Sequence, residues 1–504
     1  MFHLDPKQAV LDHVAQPAKP AAPNTLNDLA AMVADQPHER AYSATVTTGI
    51  AQAAEIALLT VTGLVVFGLN GGDTLLSALT TLGLVAVAEV FIARWGMHGV
   101  AAYRLRLEQF ARVAASWTAA FVVLGALVLL FDRSEALSRS WIAAFWAVGL
   151  VVILGWRAAL HLLVSSWTKA GKFRRRTVIV GGGKDAESLI ASIDTIGKDD
   201  IQLIGVFDDR NDDRSPESVA SVAKLGGVAE LIEFARRTRV DLVLVSMPLF
   251  AEHRVLDMLR QLWVLPVDIR LSAHMSKLKF TRKAYSYIGG IPVFDMADRP
   301  ISDWNLVFKW LFDKLVAVTA LILLSPVMIG TAIAIKLDSP GPVFFRQKRH
   351  GFNNQLIDMW KFRSMRTDTL DATAAKLVTK DDPRVTKVGK FIRKTSIDEL
   401  PQLFNVLMGE LSIVGPRPHA LAAKADNKLY YDAVEGYFAR HRVKPGMTGW
   451  AQVHGWRGET DTVEKIMQRV NHDLYYIENW SLWLDLKIVL ITPISLITKR
   501  QNAF

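Results

Sequence analysis

Thr395-Ser396-Ile397-Asp398-Glu399-Leu400-Pro401-Gln402-Leu403-Phe404-Asn405-Val406-Leu407, running on to Gly415-Pro416-Arg417-Pro418, places two adjacent carboxylates at the head of an apolar, helix-like segment. A proline-flanked arginine closes it. Neighbouring carboxylates can divide a reaction, one attacking an electrophile while the other holds a metal or manages a proton. The same residues also read as a capping box, with Ser396 as N-cap and Glu399 three positions on, ahead of Leu400, Leu403, Phe404 and Leu407. Taken alone, the segment does not choose between chemistry and capping. Its surroundings do.

Lys361 and Arg363 alternate with Phe362 in the strand-like run 359–365, which sends both cations from one face. Arg346 and Arg349 precede them; Arg384 and Arg417 follow. Converging cations suit a diphosphate, to which guanidinium groups give bidentate, charge-assisted hydrogen bonds. These six are the candidate phosphate-binding residues. Arg417 stands out, because Pro416 and Pro418 restrict its backbone. Lys348 and Arg393 read as solvated surface charges or contacts to anionic lipid.

Arg346-Gln347-Lys348-Arg349-His350-Gly351, Trp360-Lys361-Phe362-Arg363-Ser364-Met365, Asp382-Pro383-Arg384, Asp398-Glu399-Leu400-Pro401-Gln402, Val414-Gly415-Pro416-Arg417-Pro418 and Lys444-Pro445-Gly446-Met447-Thr448-Gly449-Trp450 occur in fixed order. In that order they resemble the polyprenyl-phosphate hexose-1-phosphate transferases, the long-form monotopic phosphoglycosyl transferases that begin exopolysaccharide and O-antigen synthesis. The resemblance covers essentially the whole chain, since that family also carries four N-terminal membrane helices and a Rossmann-like middle module. It implies that Asp398 attacks the β-phosphorus of a UDP-sugar, UDP-glucose foremost, releasing UMP. Undecaprenyl phosphate then takes up the sugar phosphate. It further implies Mg2+ held by Asp398 and Glu399, a homodimer, and a catalytic domain on the cytoplasmic face of a bacterial inner membrane. The run 454–460 resembles the glucose-type branch, although many relatives carry Asn where His454 stands. The hexose is not fixed by these motifs, because different phosphosugars share the same phosphate-binding groups.

Composition agrees with a membrane component. The chain has 504 residues, 51% of them hydrophobic, and a positive mean hydropathy of +0.21. The absence of cysteine excludes disulfides, thiolate zinc sites and a cysteine nucleophile. A net charge of +10 favours phosphates or acidic lipid surfaces. Nucleic acid is not the expected partner, because the basic residues sit beside apolar segments in no nucleic-acid-binding motif.

Residues 1–44 are polar and rich in Pro, Ala and Asp, which predicts a disordered cytoplasmic tail. Four apolar blocks follow, near 50–69, 75–93, 113–131 and 141–160, each close to the ~20 residues a membrane crossing needs. Arg94, Arg104, Arg106 and Arg112 separate the second block from the third. Arg157, Lys169, Lys172 and Arg174 to Arg176 trail the fourth, so both ends of the bundle face the cytoplasm. Glu55, Glu89 and His161 read as packing or interface residues rather than a transport path.

Residues 176–187 read as strand, glycine turn and helix start. Gly181, Gly183 and Ala186 meet the relaxed dinucleotide fingerprint, with Asp208 ending the next strand-like run. Continued alternation predicts a doubly wound parallel sheet, kept either for a nucleotide or for packing, dimer contact or regulation. A membrane-anchored NAD-dependent sugar-nucleotide dehydratase or epimerase is the rival enzyme. Its usual Tyr-x-x-x-Lys pair is missing, since no tyrosine has Lys four positions on. A polysaccharide-export scaffold is the non-enzymatic rival.

Residues 315–335 are apolar and bounded by Lys314 and Lys336, with Ser325-Pro326 at their middle. A fifth crossing would carry the Arg346–Arg349 cluster outside, away from nucleotide sugars. Lysines at both ends also favour cytoplasmic flanks, so the expectation is a re-entrant helix-break-helix with its apex at Ser325-Pro326. The segment 482–497, with Tyr475, Tyr476, Trp480 and Trp483 around it, fits an interfacial helix. The fold expected is thus a mixed membrane protein. It comprises a four-helix transmembrane bundle (45–165), a Rossmann-like α/β module (170–275), a linker (276–302), and a re-entrant helix with an α/β catalytic domain (303–504).

Overall fold

The computed structural model describes residues 26–37, 41–70, 74–105, 107–130, 138–210, 218–247, 252–272, 286–288, 290–366, 383–419, 424–425, 428–430, 434, 436–456 and 462–498. Two compact units divide the chain, one of residues 38–175 with 198–201, the other of 1–37, 176–197 and 202–504.

The first unit is built on α1 (Ala44–Asn70), α2 (Thr74–Arg94), α3 (Leu107–Leu130) and α4 (Arg139–Lys169). All four are long and apolar enough to cross a membrane, as is one helix of the second unit. A shared core of Leu59, Ala88, Ile92, Trp117, Phe145 and Ile153 joins them. Gly149 lets the Trp117 ring lie against the α4 backbone, where an added Cβ would come within 2.3 Å of it. Two acidic residues find partners inside. Glu55 accepts from Arg157 at 2.9 Å, and Glu89 lies 3.1 Å from His98. His161 meets the Tyr103 carbonyl at 2.9 Å.

The second unit opens with a helix where a tail was expected. Asp28–Ala34 is capped by Asn27, whose Oδ1 accepts from Ala30 N at 2.7 Å. Ala30 and Ala34 are buried in the core of the adjoining sheet. Their spacing of four gives the short helix one apolar stripe, enough to dock it. The rest of the expected tail, 1–25 and 38–40, lies outside the described residues.

That sheet contains β1 (Arg175–Val180), β2 (Ile201–Phe207), β3 (Ser218–Val219), β4 (Val222–Gly226), β5 (Leu242–Val245), β6 (Asp268–Ser272), β7 (Ser286–Ile288) and β8 (Ile291–Ala297). Their order is β3-β4-β2-β1-β5-β6-β8-β7. Parallel pairing holds for β4–β2, β1–β5 and β5–β6, but β3, β8 and β7 pair antiparallel. The sheet is therefore mixed, not purely parallel. The expected linker is where it departs. Ile291, Val293 and Ala297 are buried in the core, so 286–288 and 291–297 add two antiparallel strands to the sheet. Helices α5 (Lys184–Ser192), α6 (Val228–Arg237) and α7 (Glu252–Leu262) complete the layer.

The remainder is built on α8 (Asp303–Asp338), the antiparallel pair β9 (Phe344–His350) and β10 (Leu356–Phe362), α9 (Lys387–Thr395) and α10 (Gln402–Met408). It ends with the parallel pair β11 (Ser412–Val414) and β12 (Gly446–Thr448), then α11 (Val463–Glu478) and α12 (Leu482–Thr498). The break expected at Ser325-Pro326 is absent from the helical assignment, which runs through Pro326. Proline cannot donate to the Ile322 carbonyl four residues back. The Ser325 hydroxyl donates to that carbonyl instead, at 2.9 Å. Both halves of α8 dock on the same domain. Lys309, Asp313 and Ala317 meet β11 and α12, while Met328 and Ile335 pack with Phe362 and Ile392.

One buried polar cluster fixes the first half of α8. Lys309 Nζ donates to Asp485 at 2.6 Å and to the Val414 carbonyl at 3.0 Å, and Tyr476 Oη donates to Asp485 at 2.7 Å. Asp485→Ala removes the nearer of two carboxylates from the buried Lys309 ammonium and leaves Asp313 at 3.3 Å. Thermal or denaturant unfolding is expected to show a loss below the ~3–5 kcal/mol of a fully unpaired buried charge.

Candidate active site

Asp398 owes its position to two local features. Thr386 caps α9 by accepting from Gly389 N at 2.9 Å, and α9 ends at Ser396 in the left-handed region, with φ 60°. A single 3-10 turn, Ile397–Glu399, follows, and Pro401 then opens α10. This excludes the capping-box alternative. Ser396 makes no side-chain cap bond, and the Glu399 carboxylate points elsewhere.

Glu399 binds cations. Lys361 Nζ donates to Oε1 at 3.1 Å, and Arg417 donates in bidentate fashion, Nη2 to Oε1 at 2.5 Å and Nη1 to Oε2 at 3.1 Å. The strand carrying Lys361 is fixed to α10 through Asn405. Its Oδ1 accepts from Trp360 N at 3.0 Å, and its Nδ2 donates to the Asp358 carbonyl at 2.8 Å.

The loop carrying Arg417 is set by a close backbone approach. Gly415 N donates to the Thr448 carbonyl at 2.9 Å, and Gly446 N donates to the Pro416 carbonyl at 3.0 Å. A Cβ on Gly446 would meet Gly415 N at 2.1 Å, which only glycine avoids. Two of the sequence motifs, 414–418 and 444–450, are the two sides of this crossing.

Asp398 is half-buried and, among the described residues, accepts no hydrogen bond. Burial pushes its carboxyl up to about 6. Lys361 opposes the rise, Glu399 adds to it, and Arg393 and Arg417 oppose it. Ionised Asp398 is thus the higher-energy form below that pH. If the ionised form is the working one, kcat/KM is expected to fall about tenfold per pH unit below about pH 6 and to level above it. A pH–rate series checks this. An acid limb near pH 4 would mean Asp398 is not the titrating group.

The other expected cations divide. Ile357 is the cross-strand partner of Arg349, and Lys361 that of Phe345, so Lys361 and Arg349 share one face of the β9–β10 pair. Arg349 is pushed down to about 10 by burial and by the Arg417 charge. Arg346 is on the opposite, exposed face, stacked 4.0 Å over the Trp360 ring. Arg363 does not project beside Lys361. The strand ends at Phe362, and the buried Arg363 guanidinium donates to the Ser339 carbonyl at 2.7 Å and to the Pro340 carbonyl, closing the end of α8. Arg384 is half-buried beside the Met365–Val385 bridge, and its carbonyl accepts from Arg366 N at 3.1 Å. Asp382, and residues 457–460 of the glucose-type run, lie outside the described residues.

Four contributors escaped the sequence reading. Arg393, taken there as a solvated charge, acts on Asp398. His419, Arg440 and Asp473 lie buried behind Arg417, and Arg440 Nη2 donates to Asp473 at 2.5 Å. Only their apolar neighbours hinted at burial.

A divalent ion fits this donor set. Mg2+ characteristically takes one or two carboxylates, completed by phosphate oxygens and water. Among the described residues the Asp398 carboxylate accepts no hydrogen bond, while Glu399 is largely committed to Lys361 and Arg417. Among the described residues no group of three or more His, Asp or Glu offers an all-protein cage.

The glycine turn of the sheet is configured differently from a dinucleotide cleft. Gly181 and Gly183 take φ of 100° and 84°, as the fingerprint requires. Asp208, however, turns onto the turn itself, accepting from Gly182 N at 2.8 Å and from Arg210. The adjoining cavity, lined by Val180, Asp208, Met247 and Arg254 among others, is about 160 Å³. That is below the ~300 Å³ of a small-ligand site.

Several known proteins are similar to this chain in sequence. A profile described as bacterial sugar transferase matches residues 304–499, and one described as CoA-binding domain matches 94–273. An undecaprenyl-phosphate glucose phosphotransferase of Komagataeibacter xylinus is 41% identical over 338 residues, 67% of this chain and 62% of its own length. The UDP-glucose:undecaprenyl-phosphate glucose-1-phosphate transferase of Escherichia coli K12 is 40% identical over 329 residues, 65% of this chain and 69% of its own. Its namesake from Klebsiella pneumoniae is 37% identical over 380 residues, 75% and 80% of the two chains. With the carboxylate pair, its cations and the apolar helices all in place, the chain belongs to the bacterial sugar transferases, in the polyprenyl-phosphate hexose-1-phosphate transferase family.

Proposed function

We propose that this protein transfers hexose-1-phosphate, glucose-1-phosphate first, from a UDP-sugar to undecaprenyl phosphate by way of an aspartyl-linked intermediate. The observation that carries the reading is the division between two adjacent carboxylates. Glu399 is tied to Lys361 and Arg417, whereas Asp398 beside it accepts no hydrogen bond among the described residues. An Asp398 oxygen attacks the β-phosphorus, the bond from that phosphorus to the bridging oxygen breaks, and UMP leaves with the electron pair. A phosphate oxygen of the lipid then attacks the same phosphorus and returns the Asp398 carboxylate. Polyprenyl-diphosphate-sugar is the product.

An anionic nucleophile nearing a diphosphate meets like-charge repulsion, and Lys361, Arg417 and Arg349 offset it. Mg2+ held by Asp398 and Glu399 would supply further neutralisation of the diphosphate. Arg346, exposed on the opposite strand face, and Arg363, spent on α8, are left out of this set. The rival dehydratase loses support from Asp208, which lies against the glycine turn where a cofactor phosphate would approach.

The reading includes a four-helix transmembrane bundle, a Rossmann-like module and a re-entrant α8 that stays helical but bends at Pro326, with the site at the cytoplasmic face of the inner membrane. A straight helix of 36 residues is roughly 54 Å long, well beyond the ~30 Å hydrocarbon layer. Docking of both α8 halves on one domain favours two ends on one side. Single cysteines at Ser325, Asp303 and Asp338 test it. Labelling of the two end positions from the cytoplasmic side only, with Ser325 protected, is expected; Asp338 labelled from outside would refute re-entry. A panel of UDP-sugars assayed for UMP release with undecaprenyl phosphate tests the activity and finds the hexose.

A further inference from the structure

We propose that the buried ion pair Arg440–Asp473 is a positioning device for Arg417, an inference that rests on the reaction proposed above. Both side chains are almost wholly buried, at 1% and 2% exposure. One guanidinium makes every link. Arg440 Nη2 donates to Asp473 Oδ2 at 2.5 Å and to the Arg417 carbonyl at 2.7 Å, and its Nη1 lies 2.6 Å from His419 Nδ1. Arg440 therefore grips the chain on both sides of Pro418. Pro416 and Pro418 carry no N–H, so neither can anchor this loop through its own amide. A side chain supplies the anchor instead.

The His419 ring suits the grip. Its Nδ1 is 2.8 Å from Tyr437 Oη, and its Nε2 is 3.3 Å from Arg469 Nη1. Burial and the cations of Arg440 and Arg469 hold it well below the usual imidazole range, so it meets Arg440 as a neutral ring. Beyond the loop, the Arg417 guanidinium reaches Glu399 in bidentate fashion. A continuous line thus runs from Asp473 on α11 through Arg440 and the Arg417 backbone to the carboxylate beside Asp398. A buried pair of this kind adds little stability over an apolar pair of equal volume. Directional hydrogen bonds to a loop bearing a site residue are what the apolar pair could not provide.

The test uses full-length protein in lipid nanodiscs, with UMP release read from UDP-glucose and undecaprenyl phosphate. Arg440→Lys and Asp473→Asn are made alone and together with Arg417→Ala. Lysine keeps the charge but cannot serve Asp473, the Arg417 carbonyl and His419 at once, and a misplacement near 1 Å costs roughly a hundredfold in rate. Arg440→Lys is expected to lower kcat by about that factor in the wild-type background. In the Arg417→Ala background it should add less than about twofold, because the group it positions is gone. Asp473→Asn, which keeps an acceptor oxygen, should lose less in the first background and again almost nothing in the second. Equal fold losses in both backgrounds would overturn the proposal, as would losses that follow the unfolded fraction in a thermal melt. If Arg440→Lys does not fold, Asp473→Asn carries the same comparison. A wild-type protein that releases no UMP from any UDP-sugar would instead refute the reaction itself.

Discussion

Asp398→Asn is expected to lower UMP release by at least about 10⁴-fold, the scale on which removal of a covalent nucleophile is felt. Asparagine is nearly isosteric and keeps an acceptor oxygen, and the pairing of Lys361 and Arg417 with Glu399 is left in place. The loss falls on bond formation to phosphorus. Folding is not the route to that loss, and the sign of the carboxyl shift shows why. Burial raises Asp398 to about 6, so the fold favours its protonated form. The associated stability is present below the unfolded carboxylate range and is lost as pH rises through about 6. At pH 7.5 the ionised group weakens the fold, and a neutral amide relieves that. The variant should therefore melt at a higher temperature than the wild type at pH 7.5, with the difference closing near pH 4. An inactive but more stable protein is the combined signature. Retained turnover in purified protein would exclude Asp398 as the nucleophile.

Glu399→Gln is expected to cost about 10²–10³ in kcat, comparable with removing one preorganised electrostatic partner. Its mechanism differs from simple loss of a contact. Glu399 is the carboxylate that occupies Lys361 and Arg417. Without its charge, Asp398 becomes the nearest anion to both cations, and its own lone pairs are drawn into ion pairing. Glu399 is also one of the causes that raise Asp398, so removing its charge lowers the Asp398 carboxyl. The acid limb of the pH–rate curve should therefore move down from about 6 as kcat falls. An unchanged acid limb would show that Glu399 does not tune its neighbour.

Much of this organisation is legible in the chain, for identifiable reasons. Crossing helices announce themselves by length and hydropathy, and all four N-terminal blocks are long apolar helices. The pairing of Lys361 with the carboxylates could be anticipated from motif order. Its face could not be extended to Arg363, because strand alternation stops at Phe362. Arg346 and Arg349 are three positions apart, an odd separation that puts them on opposite faces of a strand. The positioning pair was illegible because Arg440 lies 23 positions from the carbonyl it holds, and no local pattern encodes such a contact. The short helix at Asp28–Ala34 was hidden by polar surroundings, and the β7–β8 hairpin by its brevity. At Pro326 the local rule was right about the missing donor, and the helix continues through it because the Ser325 hydroxyl takes the carbonyl.

The central claim is that an Asp398 oxygen forms a bond to the sugar-bearing phosphorus before the lipid acceptor takes part. Purified protein mixed with UDP-glucose and Mg2+, without undecaprenyl phosphate, can be quenched in acid and weighed by mass spectrometry, both intact and after digestion. A gain of one hexose phosphate on the peptide containing Asp398 is predicted, with an equal amount of UMP, and both should be absent from Asp398→Asn. Adding undecaprenyl phosphate before the quench should discharge the adduct. UMP that appears only when the acceptor is present, with no adduct at any time point, would contradict the account.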